Sequence, residues 1–249
     1  MTTTALSCGG ARRPAEADER AVRWVDLPAT PGREQVDPLL AEHEGHLVVL
    51  GTDADLAAVV LRLLRKGRLS DVTVGYLPVA ASPASRLWNL PTGPAGTELA
   101  LRGRPRPVPL VRDDNGGILV AAGAIAPITG QVYCDDQQVL HGSARSLEVA
   151  PDPAAEALPE SALPESALSE PTADPRAAEL RPALDGLRVT AVRRGFPRRR
   201  RTVVRGRAAQ ASFRPATVLR DGVAHPRPAE QWGWYRHTED LRLVRGTPE

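Results

Sequence analysis

The stretch His46–Gly67, HLVVLGTDADLAAVVLRLLRKG, decides the first half of the fold. His46–Leu50 is a near-continuous apolar run, the pattern of a strand buried on both faces in a parallel sheet. It stops at Gly51 and passes through a short polar turn. Leu56, Val59, Val60, Leu63 and Leu64 then share one helical face, and basic residues followed by Gly67 close the helix. Val72–Val79, VTVGYLPV, reads as the next strand, so the pieces make a β–α–β unit with the length of a parallel crossover. A helix N-terminus of this kind attracts phosphate. The turn, however, is GTDAD, with Gly51 followed by Thr52, Asp53, Ala54 and Asp55. Two carboxylates repel a phosphate unless a metal intervenes, and either can cap the helix instead. The cap is the reading the residues favour.

Upstream, Arg33–Gly45 has acids near its start and a terminal glycine, a short helix despite Pro38, and Ala21–Leu27 alternates weakly as a strand. Residues 1–20 are polar and rich in Ala, Arg and Glu, and are expected to form a flexible tail. After Leu90 the texture changes. Short apolar runs, such as 117–126, 146–150, 187–192, 201–206 and 241–245, alternate with Gly, Pro and Asp-Gly punctuation, which predicts an all-β domain of short strands. Residues 151–181 interrupt it. They are acidic, Pro-rich and free of aromatics, and contain the direct repeat ALPES-ALPES, so they are expected to be a disordered insertion between two strands.

The 249 residues include 42% apolar and 25% charged side chains, the balance of a soluble globular protein. Thirty-two basic residues nearly cancel 30 acidic ones, so net charge points to no partner. Cys8 and Cys134 lie far apart and form neither a disulfide framework nor a metal pair; His225 and His237 lack zinc spacing, and no metal site is expected. The start has no secretory pattern, and no apolar run reaches the roughly 20 residues of a membrane span. The expected location is the cytoplasm. The run Arg193–Arg207 holds eight arginines. Solvated strand faces explain them, with an anionic lipid or membrane surface as the alternative partner. Without interleaved aromatics, nucleic acid is not expected. Asp185-Gly186, just before an alternating strand, reads as a turn, with a general base at a strand edge as the functional alternative.

In order along the chain these motifs resemble the diacylglycerol kinase catalytic-domain family, the lipid-kinase branch of the NAD kinase-like fold. VVLGTDADLAAVVLRLL is similar, without a gap, to the family pattern VVxGGDGTLxxVxxGL. Gly51, Asp53 and Leu56 match, while Thr52, Ala54 and Asp55 replace two glycines and a threonine. PVAASPASRLWNLP stands where the family has PLGTGNDFAR…LP, keeping Pro78, Arg86 and Leu90-Pro91. DGLRV, Asp185–Val189, resembles DGxLxV, and Asp221-Gly222 occupies the place of a DGE-like turn. The likeness spans about residues 45–245; the family's first strand and NPxSG turn are not recognisable in residues 1–44.

The resemblance implies an α/β N-terminal domain, a shortened NAD kinase-like parallel sheet over 21–95, followed by an all-β sandwich-like domain over 96–249. It implies ATP and magnesium as cofactors if the protein is active. Nucleotide contacts would fall at Gly51, Thr52, Asp53, Ala54, Asp55 and Ser82, and Asp185 would take the proton from a lipid hydroxyl. Side chains at positions 52, 54, 80 and 82, where the family has glycine, bring Cβ atoms toward the phosphate path. The expectation is a lipid-kinase-like protein with weak or no phosphotransferase activity. Its rivals are an active lipid kinase with Asp185 as base, and a non-catalytic structural or anionic-lipid-binding module.

Overall fold

The computed structural model describes residues 3–15, 17, 22–155, 185–193 and 200–246. Its first layer is a six-stranded sheet in the order β2-β1-β3-β4-β18-β5. The strands are β1 (Thr3–Cys8), β2 (Val22–Leu27), β3 (His46–Gly51), β4 (Thr73–Pro78), β5 (Pro105–Val108) and β18 (Leu241–Val244). All neighbours are parallel except β5, which runs against β18. Helices α1 (Arg33–Ala41) and α2 (Asp53–Arg65) bury Val36, Leu40, Leu56, Val59, Val60 and Leu63 with one face of the sheet. Helix α4 (Gly93–Arg102) places Ala100 with Leu50 and Leu77 on the other. Covered on both sides, β3 has to be apolar throughout, as its sequence is. A short helix, α3 (Pro83–Leu87), follows β4. Asp37 ties α1 to α2: Arg62 donates to its two oxygens at 2.7 and 2.9 Å, which holds its carboxyl below the usual range.

Two antiparallel sheets form the remainder. One is ordered β10-β9-β14-β17-β6-β7 and comprises β6 (Val111–Asp113), β7 (Ile118–Leu119), β9 (Ile128–Cys134), β10 (Gln137–Ala144), β14 (Ala208–Ala216) and β17 (Ala229–Arg236). The other is ordered β13-β12-β11-β8-β15-β16, from β8 (Gly123–Ile125), β11 (Ser146–Pro151), β12 (Leu187–Arg193), β13 (Arg200–Gly206), β15 (Val218–Arg220) and β16 (Val223–Ala224). Their inner faces share one core, with Val132, Leu147, Val189, Trp232 and Trp234 among its members. The α/β layer followed by a β sandwich is the fold class expected from the sequence.

Three boundaries differ from expectation. The tail over 1–20 contains β1, which lies between β2 and β3 with Ala5 and Leu6 fully buried; two flanking strands satisfy its backbone and overcome its polar composition. The β-rich half does not begin at residue 96. Helix α4, β5 and the late strand β18 complete the first sheet, and Leu243 pairs with Val74. The insertion begins after residue 151, not at it. Pro151 is the last residue of β11, and buried Asp152 accepts a 2.6 Å bond from Arg205. Residues 156–181 of that expected insertion lie outside the described residues.

Candidate functional site

The GTDAD loop leaves β3 and enters α2 with a reciprocal cap. The Asp55 amide donates to Thr52 Oγ1 at 3.3 Å, and the Thr52 amide donates to Asp55 Oδ2 at 2.7 Å. Thr52 Oγ1 also donates to that oxygen, at 2.8 Å. The other oxygen, Oδ1, accepts the Thr30 amide at 2.6 Å. Asp55 is 2% exposed, while Thr30 and Thr52 lie at the surface, so a buried carboxylate ties down two exposed residues. A Cβ on Gly51 would lie 2.6 Å from Asp55 Oδ2, which is why glycine is required there. Asp53, also buried, is equally engaged. Its Oδ1 accepts from the Tyr76 hydroxyl at 2.8 Å and its Oδ2 from the Ala84 amide at 3.0 Å. Burial, with the Asp53 charge behind it, pushes the Tyr76 hydroxyl well above its ordinary value.

The second loop spends its donors in the same way. Ser82 caps α3: its Oγ accepts from the Ser85 amide at 3.1 Å, and its own amide donates to Ser85 Oγ at 2.8 Å. Gly51, Thr52, Asp53, Asp55 and Ser82 therefore come together around the starts of α2 and α3, with Ala54 half-buried in the first turn of α2. An internal carboxylate takes up the Thr52 amide, and the Thr52 hydroxyl takes up the Asp55 amide. The buried carboxylates of Asp53 and Asp55 oppose the negative charge of a phosphate at this position.

Asp185 is supplied by the β sandwich rather than by the α/β layer. It sits half-buried before β12, and its charge is among the causes, after burial, that push the Cys134 thiol up to about 12. The adjoining Gly186 packs against the Arg236 side chain. The arginine run is mixed in role. Arg193 donates to the Val139 carbonyl and Arg205 pairs with Asp152, while Arg200, Arg201 and Arg207 are exposed. Residues 194–199 lie outside the described residues.

Between the two layers opens a cleft of about 850 Å³. Its α/β wall is α3 with Arg86, together with Arg245 just past β18. The β wall presents Ala124, Glu148, Ala150, Arg188 and Leu219. Alternation along β12 explains this wall: Leu187, Val189 and Ala191 enter the sandwich core, so Arg188 and Thr190 face outward. Thr190 pairs with Glu148 on the neighbouring strand. The junction at the back of the cleft is fastened twice. Asp221 accepts the amides of Val120, Ala121 and Ala122 at 3.0, 2.8 and 2.9 Å. Trp88 Nε1 donates to the Val120 carbonyl at 2.8 Å. Asp221 (φ 45°) and Gly222 (φ 85°) form the two-residue turn joining β15 and β16. Burial raises the Asp221 carboxyl to about 7, against the pull of its three amide donors and with a smaller push from the Asp53 charge.

Motif matching drew attention to Asp185 and passed over Arg188, Thr190 and Glu148. Their signal was the polar phase of LRVTAV, two polar residues on the face opposite the apolar ones.

The fold is that of diacylglycerol kinases and NAD kinases. A diacylglycerol kinase structure from Bacillus anthracis str. Sterne matches with a TM-score of 0.65 and 11% identity, over 98% of this chain and 97% of that one. An NAD kinase from Archaeoglobus fulgidus, solved in complex with ATP, matches at 0.55 and 12% identity, over 98% and 94% of the two chains. Yeast NADH kinase complexed with NADH matches at 0.56 and 10% identity, covering 99% of this chain and 84% of its own. Neither a protein-family model nor a curated protein matches the sequence. Among the described residues no helix is long and apolar enough to cross a membrane.

Proposed function

We propose that this chain is a lipid-kinase-like protein of the diacylglycerol kinase family that binds a ligand in its interlayer cleft and has weak or no phosphotransferase activity. The observation that carries the reading is Asp55. Its carboxylate takes the Thr30 and Thr52 amides at the loop where the family resemblance puts phosphate. Phosphoryl transfer relies on positioning and on neutralising phosphate charge. A loop that gives its Thr52 amide to a carboxylate and its Asp55 amide to a hydroxyl, beside two buried carboxylates, supplies little of either. The two buried free thiols suit a reducing cytoplasm, which is part of the same proposal.

Thermal unfolding of the purified protein with and without millimolar ATP and magnesium tests it. A ligand that binds only the folded state raises the transition by mass action. The expected result is no shift. A clear rise would overturn the reading in favour of an active lipid kinase with Asp185 as base, and Asp185→Asn would then abolish lipid phosphorylation without lowering stability. A second reading, weak attraction to an anionic membrane surface, draws on exposed Arg200, Arg201 and Arg207 along edge strand β13. It predicts co-sedimentation with anionic vesicles at low salt that disappears at high salt.

A further inference from the structure

Strand β12 carries two polar groups without partners among the described residues: Arg188, which lines the cleft, and Thr190, which lies outside its lining. Thr190 is 5% exposed, and its Oγ1 has no hydrogen-bond partner among the described residues. The Nε of Arg188, on the same face two residues away, is buried and equally unpaired. Arg86 faces them from α3 and makes no ion pair among the described residues. A buried donor without a partner carries a desolvation cost that a ligand can relieve. Guanidinium groups suit carboxylate and phosphate because their paired N–H groups match two oxygens.

Charge limits the ligand further. Arg86 and Arg188 bring two guanidinium groups to the cleft, with the Glu148 and Asp221 carboxylates beside them. Such a surface matches a head group of one or two negative charges. A triphosphate would bring more charge than the cleft offsets and would face Glu148. The rest of the lining is small and apolar, including Ala121, Ala124, Ala150, Leu87 and Leu219. Its 850 Å³ is within the range of small-molecule pockets and ample for a short alkyl chain.

We infer that the cleft recognises a small anionic amphiphile, with a carboxylate or phosphate-monoester head held by Arg188 and Arg86 and an apolar body laid along the alanine-lined floor. The inference rests on the reading of the cleft as a ligand site and adds the ligand class and the residues that select it.

Titration calorimetry on the full chain, with monomeric octyl phosphate, octanoate, inorganic phosphate and octanol as separate probes, tests it. Saturable binding is expected for octyl phosphate or octanoate, and whichever binds more tightly identifies the head group. Inorganic phosphate and octanol should each bind at least tenfold more weakly. Arg188→Gln and, at an exposed position of α3, Arg86→Gln should each weaken the amphiphile about tenfold or more. Arg86→Gln keeps the test decisive if Arg188→Gln folds poorly. Octanol binding as tightly as the anions overturns the proposal. Unchanged affinity in both arginine variants does so as well. ATP with magnesium, run in parallel, reports separately on the pseudokinase reading. Binding of ATP without octyl phosphate or octanoate sinks both proposals. Binding of ATP together with an Arg188-dependent amphiphile sinks only the first.

Discussion

Two polar clusters sit within one fold and differ in how their hydrogen-bonding capacity is used. At the GTDAD loop, all four carboxylate oxygens of Asp53 and Asp55 accept from the chain itself. On β12, Arg188 Nε at the cleft wall and the neighbouring Thr190 Oγ1 have no partner among the described residues. The first cluster resembles a kinase motif and is chemically closed. The second includes Arg188, within the DGLRV stretch but not the residue that motif marks out, and is chemically open. A site is therefore better located by unspent polar groups than by inherited spelling, because satisfied groups hold the fold and unsatisfied ones wait for something else.

The sharpest way to break this comparison is to open the closed cluster. Asp55→Ala leaves the Thr30 and Thr52 amides without their carboxylate partner and removes half of the helix cap. The expected loss is about 3 kcal/mol in urea unfolding, since bonds to a charged group contribute about 1.5–3 kcal/mol and an N-cap about 1 kcal/mol. A loss below about 0.5 kcal/mol would mean the carboxylate is not structural, and the loop would have to be reconsidered as a ligand site. Tyr76→Phe probes the same cluster more gently. It removes one of the two donors to Asp53 and leaves the Ala84 amide in place, so the expected cost is about 1–1.5 kcal/mol.

How far the sequence reaches follows the same division. The β3–α2–β4 unit was legible because His46–Leu50 is apolar without a break and Leu56, Val59, Val60 and Leu63 keep helical spacing. The cap at Asp55 was legible because an acid three residues into a helix has one common use. Strand β1 was not, since TTALSC mixes hydroxyls with apolar residues and is buried only by strands that come later in the chain. Nor was the return of β18 to the first sheet. LRLV is too short to name its partner, and the choice depends on an edge that β4 leaves open far upstream. Arg188 and Thr190 were visible in the alternation of β12. What alternation cannot say is that α3, a hundred residues earlier in the chain, faces them across a cleft.

Asp221 lies between the two clusters in character: its oxygens are fully used, yet its proton is loose. Raised to about 7 from an ordinary value near 3.8, it keeps a proton in the native state that the unfolded chain releases. Its contribution therefore favours folding below about pH 4, declines as pH rises to about 7, and is level above that. Buried His43 and half-buried His46 and His237, held below their ordinary value mainly by desolvation, act in the opposite sense below about 6.5. The reading is thus the difference between the wild type and Asp221→Asn. Between pH 5 and pH 7.5 the wild type should lose more stability, or gain less, than the variant. Parallel curves would place Asp221 at an ordinary pKa and remove the protonated state from the charge balance of the cleft.

The smallest effect discriminates best. If the cleft wall is open, Arg188→Gln removes no intramolecular bond that its Nε makes, and stability should change by no more than about 0.5 kcal/mol, the range of substitutions that touch no structural feature. It relieves the desolvation of a half-buried guanidinium, so a slight gain is the favoured sign. Asp55→Ala and Arg188→Gln then form a pair with inverted consequences: the first loses stability while the cleft keeps its ligand, and the second keeps stability while the cleft loses it. Unfolding curves for the two variants, set beside their octyl phosphate titrations, measure that inversion directly. Should Arg188→Gln cost 2 kcal/mol or more, the guanidinium is holding the sandwich together, and the distinction between a spent cluster and an unspent one fails at its most exposed point.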